Sequence, residues 1–235
     1  MLIRLNKYIA DSGYCSRRKA DTFIQDGKVT VNGKKVLGLG EKVDTYKDVV
    51  KICGEILKLE DEKIYIMLNK PVGYITTNSE QFNRKATVDL INEKTRVFPI
   101  GRLDRDTEGL LLLTNDGMFA NYMMHPKHDI EKTYIVTTDS NITQDKIDKL
   151  VNGVDIGGYV TKKAKVRLYS KNKLEIVISE GKNRQVRKMC QFVNINVKKL
   201  KRVKIGNLEL GNLKLGEYRY LTKNEIKMLK NRKSI

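Results

Sequence analysis

GRLDRDTEGLLLLTNDG, residues 101–117, sets three carboxylates, Asp104, Asp106 and Glu108, directly ahead of four consecutive leucines, with a fourth acid, Asp116, behind them. Leu110, Leu111, Leu112 and Leu113 form a short apolar run bounded by turn residues. Such a run reads as a strand buried on both faces, where an alternating pattern would mark a strand with one wet side. A buried central strand is a rigid support, so an acid on the loop before it is an acid held in place.

On both sides of this run the chain keeps producing strands. IYIMLNKP, GYITT, RVFPIG, KTYIVTT, YVTKKAKVRLY and KLEIVISEG are candidates, with helices expected at MFANYMM, TQDKIDKLV, RQVRKMCQFV and TKNEIKMLKN. Strands dominate and helices are scattered among them, which predicts an α+β domain over residues 61–235, built on a mixed, largely antiparallel β-sheet with flanking helices. Residues 1–60 read as a separate small module. Leu5, Tyr8 and Ile9 have helical spacing that stops at Ser12 and Gly13; Ser16 is placed to cap a second helix carrying Ala20, Phe23 and Ile24 and ending at Gly27. Two short strands then flank Asn32-Gly33, the strongest short hairpin signal. CGEILKLEDEK, residues 53–63, is expected to be the join, and no internal repeat is visible.

The chain has 235 residues, 40% hydrophobic and 31% charged, the balance of a globular protein with a real core. No apolar run approaches the roughly 18 residues needed to span a bilayer, and MLIRLNKYIADSGYC has charges where a signal peptide needs its apolar segment, so a cytoplasmic location is expected. Cys15, Cys53 and Cys190 are odd in number and far apart; they are expected to be buried thiols, neither a disulfide framework nor a metal or redox pair. His125 and His128 in HPKH have ligand-like spacing, but Pro126 between them and the lack of nearby thiols argue against a metal. Lysine and arginine number 46 against 28 acids, a formal charge of +18. That excess attracts polyanions, and its spread along the whole chain favours nucleic acid over a membrane surface. Arg17, Arg18 and Lys19 open the second helix, where cations oppose the helix dipole; they face either phosphate or plain solvent.

Several readings of the acidic stretch fail. DRDTEG resembles the start of a calcium loop, but the twelfth position is Asn115 where a bidentate Glu is required. DTEG has one residue too many for an aspartic protease motif and no second copy supplies the partner acid. Asp104 and Asp106 on an extended chain would lie about 6.6 Å apart on one face, within reach of a glycosidase pair. A polysaccharide site would want aromatic platforms, and the chain has no tryptophan and only 7% aromatics.

Taken with three more segments, GRLDRDTEGLLLLTNDG resembles the signature of the ribosomal RNA pseudouridine synthases of the RsuA/RluB/RluF type. LNKPVG (68–73) is similar to that family's first motif, EKTYIV (131–136) to its tyrosine strand and EGKNRQVRKM (180–189) to its third motif. VKKLKRVKIGNLELGNLKLGEYRYLT (197–222) resembles its closing segment, and the first sixty residues resemble the S4-like RNA-binding module these enzymes carry. RVFPIGRLDRDTEG, the KKLKR run and GEYRYLT lean toward the RluF subgroup, which acts on large-subunit ribosomal RNA.

The resemblance implies isomerisation of a uridine to pseudouridine, with no metal and no cofactor. It makes Asp104 the carboxylate at the ribose face, Arg187 the cation that keeps that carboxylate ionised, and Tyr134 the ring that stacks on uracil. Without it, Tyr134 would read as core and Arg187 as a phosphate contact on a basic helix among Lys182, Arg184 and Lys188, the expected RNA-binding side chains. Arg102 would share the face of Asp104 and fill the gap left by a flipped base, or hold a phosphate. Lys70, Pro71 and Gly73 shape the floor of a cleft or, as the favoured reading, simply form a structural turn, with Lys70 also counted among the RNA contacts. Asp106, Glu108 and Asp116 are left as loop and turn acids. The expected partner is ribosomal RNA or a pre-ribosomal particle, met by a monomer. The alternatives are a non-catalytic RNA-binding or assembly factor of the same fold, against which intact Asp104, Tyr134 and Arg187 speak, and a nucleoside hydrolase, which explains neither the charge nor the terminal module.

Overall fold

The computed structural model describes residues 1–77 and 84–231. The chain divides into two compact units, the first made of Met1–Ile64, Asn92–Phe98 and Thr114–Gly117, the second of the rest.

In the first unit, strand β1 (Leu2–Arg4) leads into helix α1 (Leu5–Asp11), which buries Leu5, Tyr8 and Ile9, the i, i+3, i+4 set that marked it in the sequence. The Ser12 hydroxyl donates to the Ile9 carbonyl at 2.8 Å, and Gly13 leaves with φ +78°. Helix α2 (Arg17–Gln25) starts where the Ser16 hydroxyl accepts the Lys19 amide at 3.2 Å. Next come β2 (Val29–Val31), β3 (Lys34–Lys35), β4 (Lys42–Asp44), β5 (Val50–Ile52) and β6 (Glu55–Ile56), with β1 paired to β4 and a sheet ordered β3-β2-β5-β6. Asn32 and Gly33 both have positive φ, 51° and 80°, as a two-residue type I′ hairpin demands. Cys53 and Gly54 repeat that geometry at 51° and 88° and turn β5 into β6. The segment expected to be a join therefore begins inside this unit, and Leu57 belongs to its core. Cys53 is exposed at the turn and Cys15 half-buried; of the three thiols only Cys190 is buried, and burial pushes its pKa up to about 12.

The second unit is built on a nine-stranded sheet. Its elements run β7 (Tyr65–Lys70), β8 (Phe98–Ile100), β9 (Glu108–Thr114), α3 (Gly117–Met124), β10 (Lys132–Thr138), α4 (Gln144–Asn152), β11 (Lys165–Ser170), β12 (Lys173–Ile178), α5 (Gln185–Phe192), β13 (Val197–Ile205), β14 (Leu208–Glu209), β15 (Tyr218–Tyr220) and α6 (Lys223–Lys230). The spatial order is β11-β12-β10-β13-β9-β7-β15, with β8 beside β9 and β14 beside β13. β10 runs antiparallel to both β12 and β13, β11 to β12, and β15 to β7; β9 and β13 are parallel. The four leucines of β9 are at most 1% exposed, a central strand covered on both faces. β12 by contrast alternates, burying Leu174, Ile176 and Ile178. Two expected strands are corrected. GYITT forms only an isolated bridge, Ile75 to Ala86, because Gly73 enters it at φ +95°. YVTKKAKVRLY is strand only from Lys165, its first part being drawn into a turn whose amides at Gly157, Gly158 and Tyr159 all donate to Asp155.

Gly109 makes the parallel pairing possible. It lies opposite Arg202 in the ladder with φ +108°, and a Cβ there would fall 2.2 Å from the Arg202 carbonyl oxygen. Replacing Gly109 by Ala is expected to separate β9 from β13 and to cost about 3 kcal/mol or more in urea unfolding. Gly117→Ala, whose Cβ meets nothing within 4 Å, should stay within about 0.5 kcal/mol of the parent.

Candidate active site

Between Leu103 and the start of β9 the chain leaves the sheet for a short loop, and every backbone carbonyl of that loop has a partner. The Thr76 hydroxyl donates to the Leu103 carbonyl at 2.8 Å and accepts its amide at 3.2 Å. The Gly73 amide donates to the Arg105 carbonyl at 2.8 Å. At the end of β7, Lys70 is 0% exposed and its Nζ donates to three carbonyls: Pro71 at 3.0 Å, Asp104 at 3.0 Å and Thr107 at 2.8 Å. Burial pulls the Lys70 pKa down to about 8, against the attraction of the Asp104 and Asp106 carboxylates. At neutral pH it keeps three protons, one for each carbonyl. The expectation that Lys70 touches RNA is therefore overturned, since no proton and no surface are left for a phosphate.

The side chains on this loop have unequal fates. Asp106 accepts both terminal nitrogens of Arg184, at 3.0 and 2.8 Å, and the Arg187 Nε lies 3.2 Å from the same carboxylate. Arg187 also donates to the Asp106 carbonyl at 2.7 Å and the Val197 carbonyl at 3.3 Å. Burial would raise the Asp106 pKa, but the Arg184 hydrogen bonds and the charges of Arg187 and Arg184 bring it below the usual carboxylate range. Glu108 opens β9, buried to 5% exposure and paired to Lys199 at 3.1 Å. Asp116 is buried at 8% exposure just past β9. Neither Asp106 nor Glu108 is the plain solvated loop acid expected. Asp104 alone of the loop acids is half-buried with a carboxylate that makes no hydrogen bond or ion pair among the described residues. The expected Arg187–Asp104 pair is thus corrected to Arg187–Asp106. The reason is local: Arg184 and Arg187 open α5, a helix with no acid in its first turn, and the Asp106 carboxylate is the anion that fits there.

Tyr134 stands at the middle of β10, 8% exposed, between Ile176 of β12 and Arg202 of β13. Arg202, 3% exposed, donates from Nε to the Leu110 carbonyl at 2.7 Å, reaches the Tyr134 hydroxyl at 3.5 Å and packs against its ring with the guanidinium carbon 6.0 Å from the centroid. Two residues before Tyr134, burial together with the charge of Arg202 brings the Lys132 pKa down to about 8. Neither Arg202 nor Lys132 was singled out in the sequence. Arg202 hides in the KKLKR run, and only its two-residue spacing from Leu200, on the buried side of β13, marks it.

Of the remaining expected residues, Arg102 is exposed, next to buried Leu103. Lys182 is exposed with Nζ 4.2 Å from the Tyr159 ring centroid, Arg184 is held on Asp106, and Lys188 is half-buried on α5. Glu180 ties this region together: its carboxylate accepts the Tyr159 hydroxyl at 2.5 Å, the Lys162 amide at 3.1 Å and the Gln185 amide nitrogen at 2.6 Å. Arg17, Arg18 and Lys19 are exposed on the first unit, Arg17 within 3.4 Å of Asn6 and Lys19 5.2 Å from the Phe23 ring. His125 accepts the Lys127 amide on Nδ1 at 3.2 Å. Among the described residues no group of three His, Cys, Asp or Glu is placed to hold a metal, and no helix is long and apolar enough to cross a membrane.

Residues 64–192 match the family described as RNA pseudouridylate synthase, and residues 3–50 match the S4 domain. Escherichia coli dual-specificity RNA pseudouridine synthase RluF is 43% identical over 226 residues, covering 95% of this chain and 77% of the relative. Bacillus subtilis ribosomal large subunit pseudouridine synthase B is 44% identical over 235 residues, covering 97% and 95%. A crystal structure of a pseudouridylate synthase superposes with a TM-score of 0.72 at 32% identity, covering 97% of this chain and 99% of its own. The loop of Asp104, the strand of Tyr134 and helix α5 all fall inside the matched segment, and the chain belongs to the RNA pseudouridine synthase family, isomerases that act on RNA.

Proposed function

We propose that this enzyme isomerises a uridine of large-subunit ribosomal RNA, met free or in a pre-ribosomal particle, as a cytoplasmic monomer without metal or cofactor. Asp104 supplies the carboxylate. The observation that carries this reading is the contrast on the loop: its backbone is fixed on all sides while the Asp104 carboxylate is left without a partner. A preorganised group with its acceptor capacity unused is what transition-state stabilisation requires, because no internal bond must break when the substrate arrives. Pseudouridine formation cleaves the bond from uracil N1 to ribose C1′, turns the base and rejoins it through C5, so the base must be held while detached. Tyr134 offers a flat ring for stacking. Arg187, beside the acid loop, keeps the local potential positive where the carboxylate meets the substrate.

The target must leave its stack before it can react, and Arg102, exposed beside Asp104, is suited to hold the vacated position or its phosphate. Lys182 and Lys188 extend the basic surface along α5; Arg184 joins them only to the extent that Asp106 releases it. Residues 1–60 act as the RNA-binding module of a catalytic domain over residues 61–235, with Arg17, Arg18 and Lys19 on phosphate. The name of the Bacillus subtilis relative favours large-subunit RNA as the substrate.

Three measurements check this reading. Asp104→Asn should bind ribosomal RNA as the parent does and release no tritium from 5-tritiated uridine RNA; parental release would remove Asp104 from the chemistry. Replacing Arg17, Arg18 and Lys19 together by Gln should weaken RNA binding and flatten the slope of log affinity against log salt by about 2, leaving the single-turnover rate at saturation unchanged. Lys70→Met leaves three buried carbonyls without a donor. It should lose about 2 to 4 kcal/mol of stability in urea unfolding, and a clear loss of single-turnover rate in the molecules that remain folded is expected to accompany it.

A further inference from the structure

Among the described residues Arg202 is the only buried arginine, and it lies in the ladder between Tyr134 of β10 and Gly109 of β9. Two of its nitrogens have partners: Nε donates to the Leu110 carbonyl at 2.7 Å, and Nη1 makes a long contact of 3.5 Å to the Tyr134 hydroxyl oxygen. The third, Nη2, is buried with no hydrogen-bond partner, and no carboxylate pairs with the guanidinium among the described residues. A second cation shares this layer. Lys132 donates to the Ile130 carbonyl at 2.9 Å, and burial followed by the charge of Arg202 lowers its pKa to about 8. After burial, the charge of Arg202 also adds to the lowering of the Lys70 pKa, whose ammonium holds the Asp104 carbonyl.

A buried cation without an anion is destabilising, and an apolar side chain of similar volume would fill the same space without that penalty. Stability therefore does not explain an arginine at position 202, whereas a functional site is where such a local conflict is kept. Its guanidinium carbon lies 6.0 Å from the centroid of the Tyr134 ring, with one donor and a full charge unused. The reaction supplies a transient anion at that ring. When the bond from uracil N1 to ribose C1′ breaks with its electron pair on nitrogen, the detached base carries a negative charge spread over N1 and the two carbonyl oxygens. Rejoining through C5 takes a pair from the ring into the new bond, after which C5 loses its proton and N1 gains one. The charge exists only while the base is detached, so a fixed cation beside it favours that state over the bound uridine. We infer that Arg202 is a positioning residue of the reaction: it holds the Tyr134 hydroxyl and sets an unneutralised positive charge beside the ring on which the base lies, where the detached, anionic base is favoured.

The inference rests on the reading of Tyr134 as the ring that carries the base, and its test separates the two. Arg202→Met keeps the length of the side chain without its charge; Arg202→Lys keeps the charge without the fork. With ribosomal RNA in single turnover at saturation, the rate constant of Arg202→Met is expected to fall by about tenfold or more per folded molecule, the scale on which a preorganised electrostatic contact acts, while RNA affinity stays at the parental value. Its urea midpoint should stay close to the parent's, because removing an unpaired buried charge offsets the loss of the bond to the Leu110 carbonyl. Arg202→Lys should react clearly faster than Arg202→Met. A structural role alone would lower the midpoint and leave the rate per folded molecule at the parental value. A smaller loss of rate in Arg202→Met, or an Arg202→Lys no faster than it, overturns the inference. Arg202→Gln takes the place of Arg202→Met if the latter does not fold; if neither uncharged variant folds, Arg202 is a structural residue and the inference is overturned as well. A parental rate in Tyr134→Ala would instead overturn the reading beneath it.

Discussion

A fully buried ammonium holds the loop of residues 103–107. Lys70 sits at the end of β7 and donates to the carbonyls of Pro71, Asp104 and Thr107. Burying an unpaired charge is prohibitive, so Lys70 is stable there only if the loop presents those oxygens in one arrangement, and the loop keeps that arrangement only while the ammonium is there. The dependence is mutual, which makes the geometry of residues 104–107 close to all-or-none. The parallel pairing of β9 with β13 adds a second condition, since only a residue without a side chain lets Arg202 approach Gly109. The loop is thus fixed at its base by a charge and at its exit by a glycine.

Much of this was legible beforehand. The leucine run named a strand buried on both sides, because no amphipathic pattern tolerates four apolar residues in succession. Asn32-Gly33 and Ser16 declared themselves because a type I′ turn and a helix cap are satisfied by local chemistry alone. Cys53-Gly54 makes the same turn as Asn32-Gly33, yet nothing about cysteine advertises a positive φ; the ladder on either side imposes it.

What stayed hidden has a common physical character. Lys70 reads as one more lysine in a basic chain, and its role appears only when the carbonyls of residues 104 and 107, more than thirty positions later, are brought around it. Asp106 reads as a spare acid, and Arg184 as an RNA contact, until the chain folds them together across 78 residues. Arg202 is indistinguishable in composition from Lys201 beside it, although one faces Tyr134 in the buried layer and its neighbour lies on the other side of the strand. Local propensity and periodicity carry the elements; ion pairs between elements leave no trace in either, because a charge looks the same in sequence whether it meets solvent, phosphate or another side chain.

Under the proposed function the chain must both grip a polyanion and present a carboxylate to it. A formal charge of +18 draws in phosphates. Around residues 104–107 each nearby cation has a fixed partner: Lys70 is surrounded by carbonyls, Arg184 and Arg187 lie on Asp106, and Lys199 is held on Glu108. Each of those cations still contributes to the positive potential, since hydrogen bonds to carbonyls do not cancel a charge and Asp106 neutralises only one of its two arginines. Asp104 stands beside these pairs with no hydrogen bond or ion pair on its own carboxylate among the described residues. The acids that looked redundant beside it in the sequence are the partners of those cations.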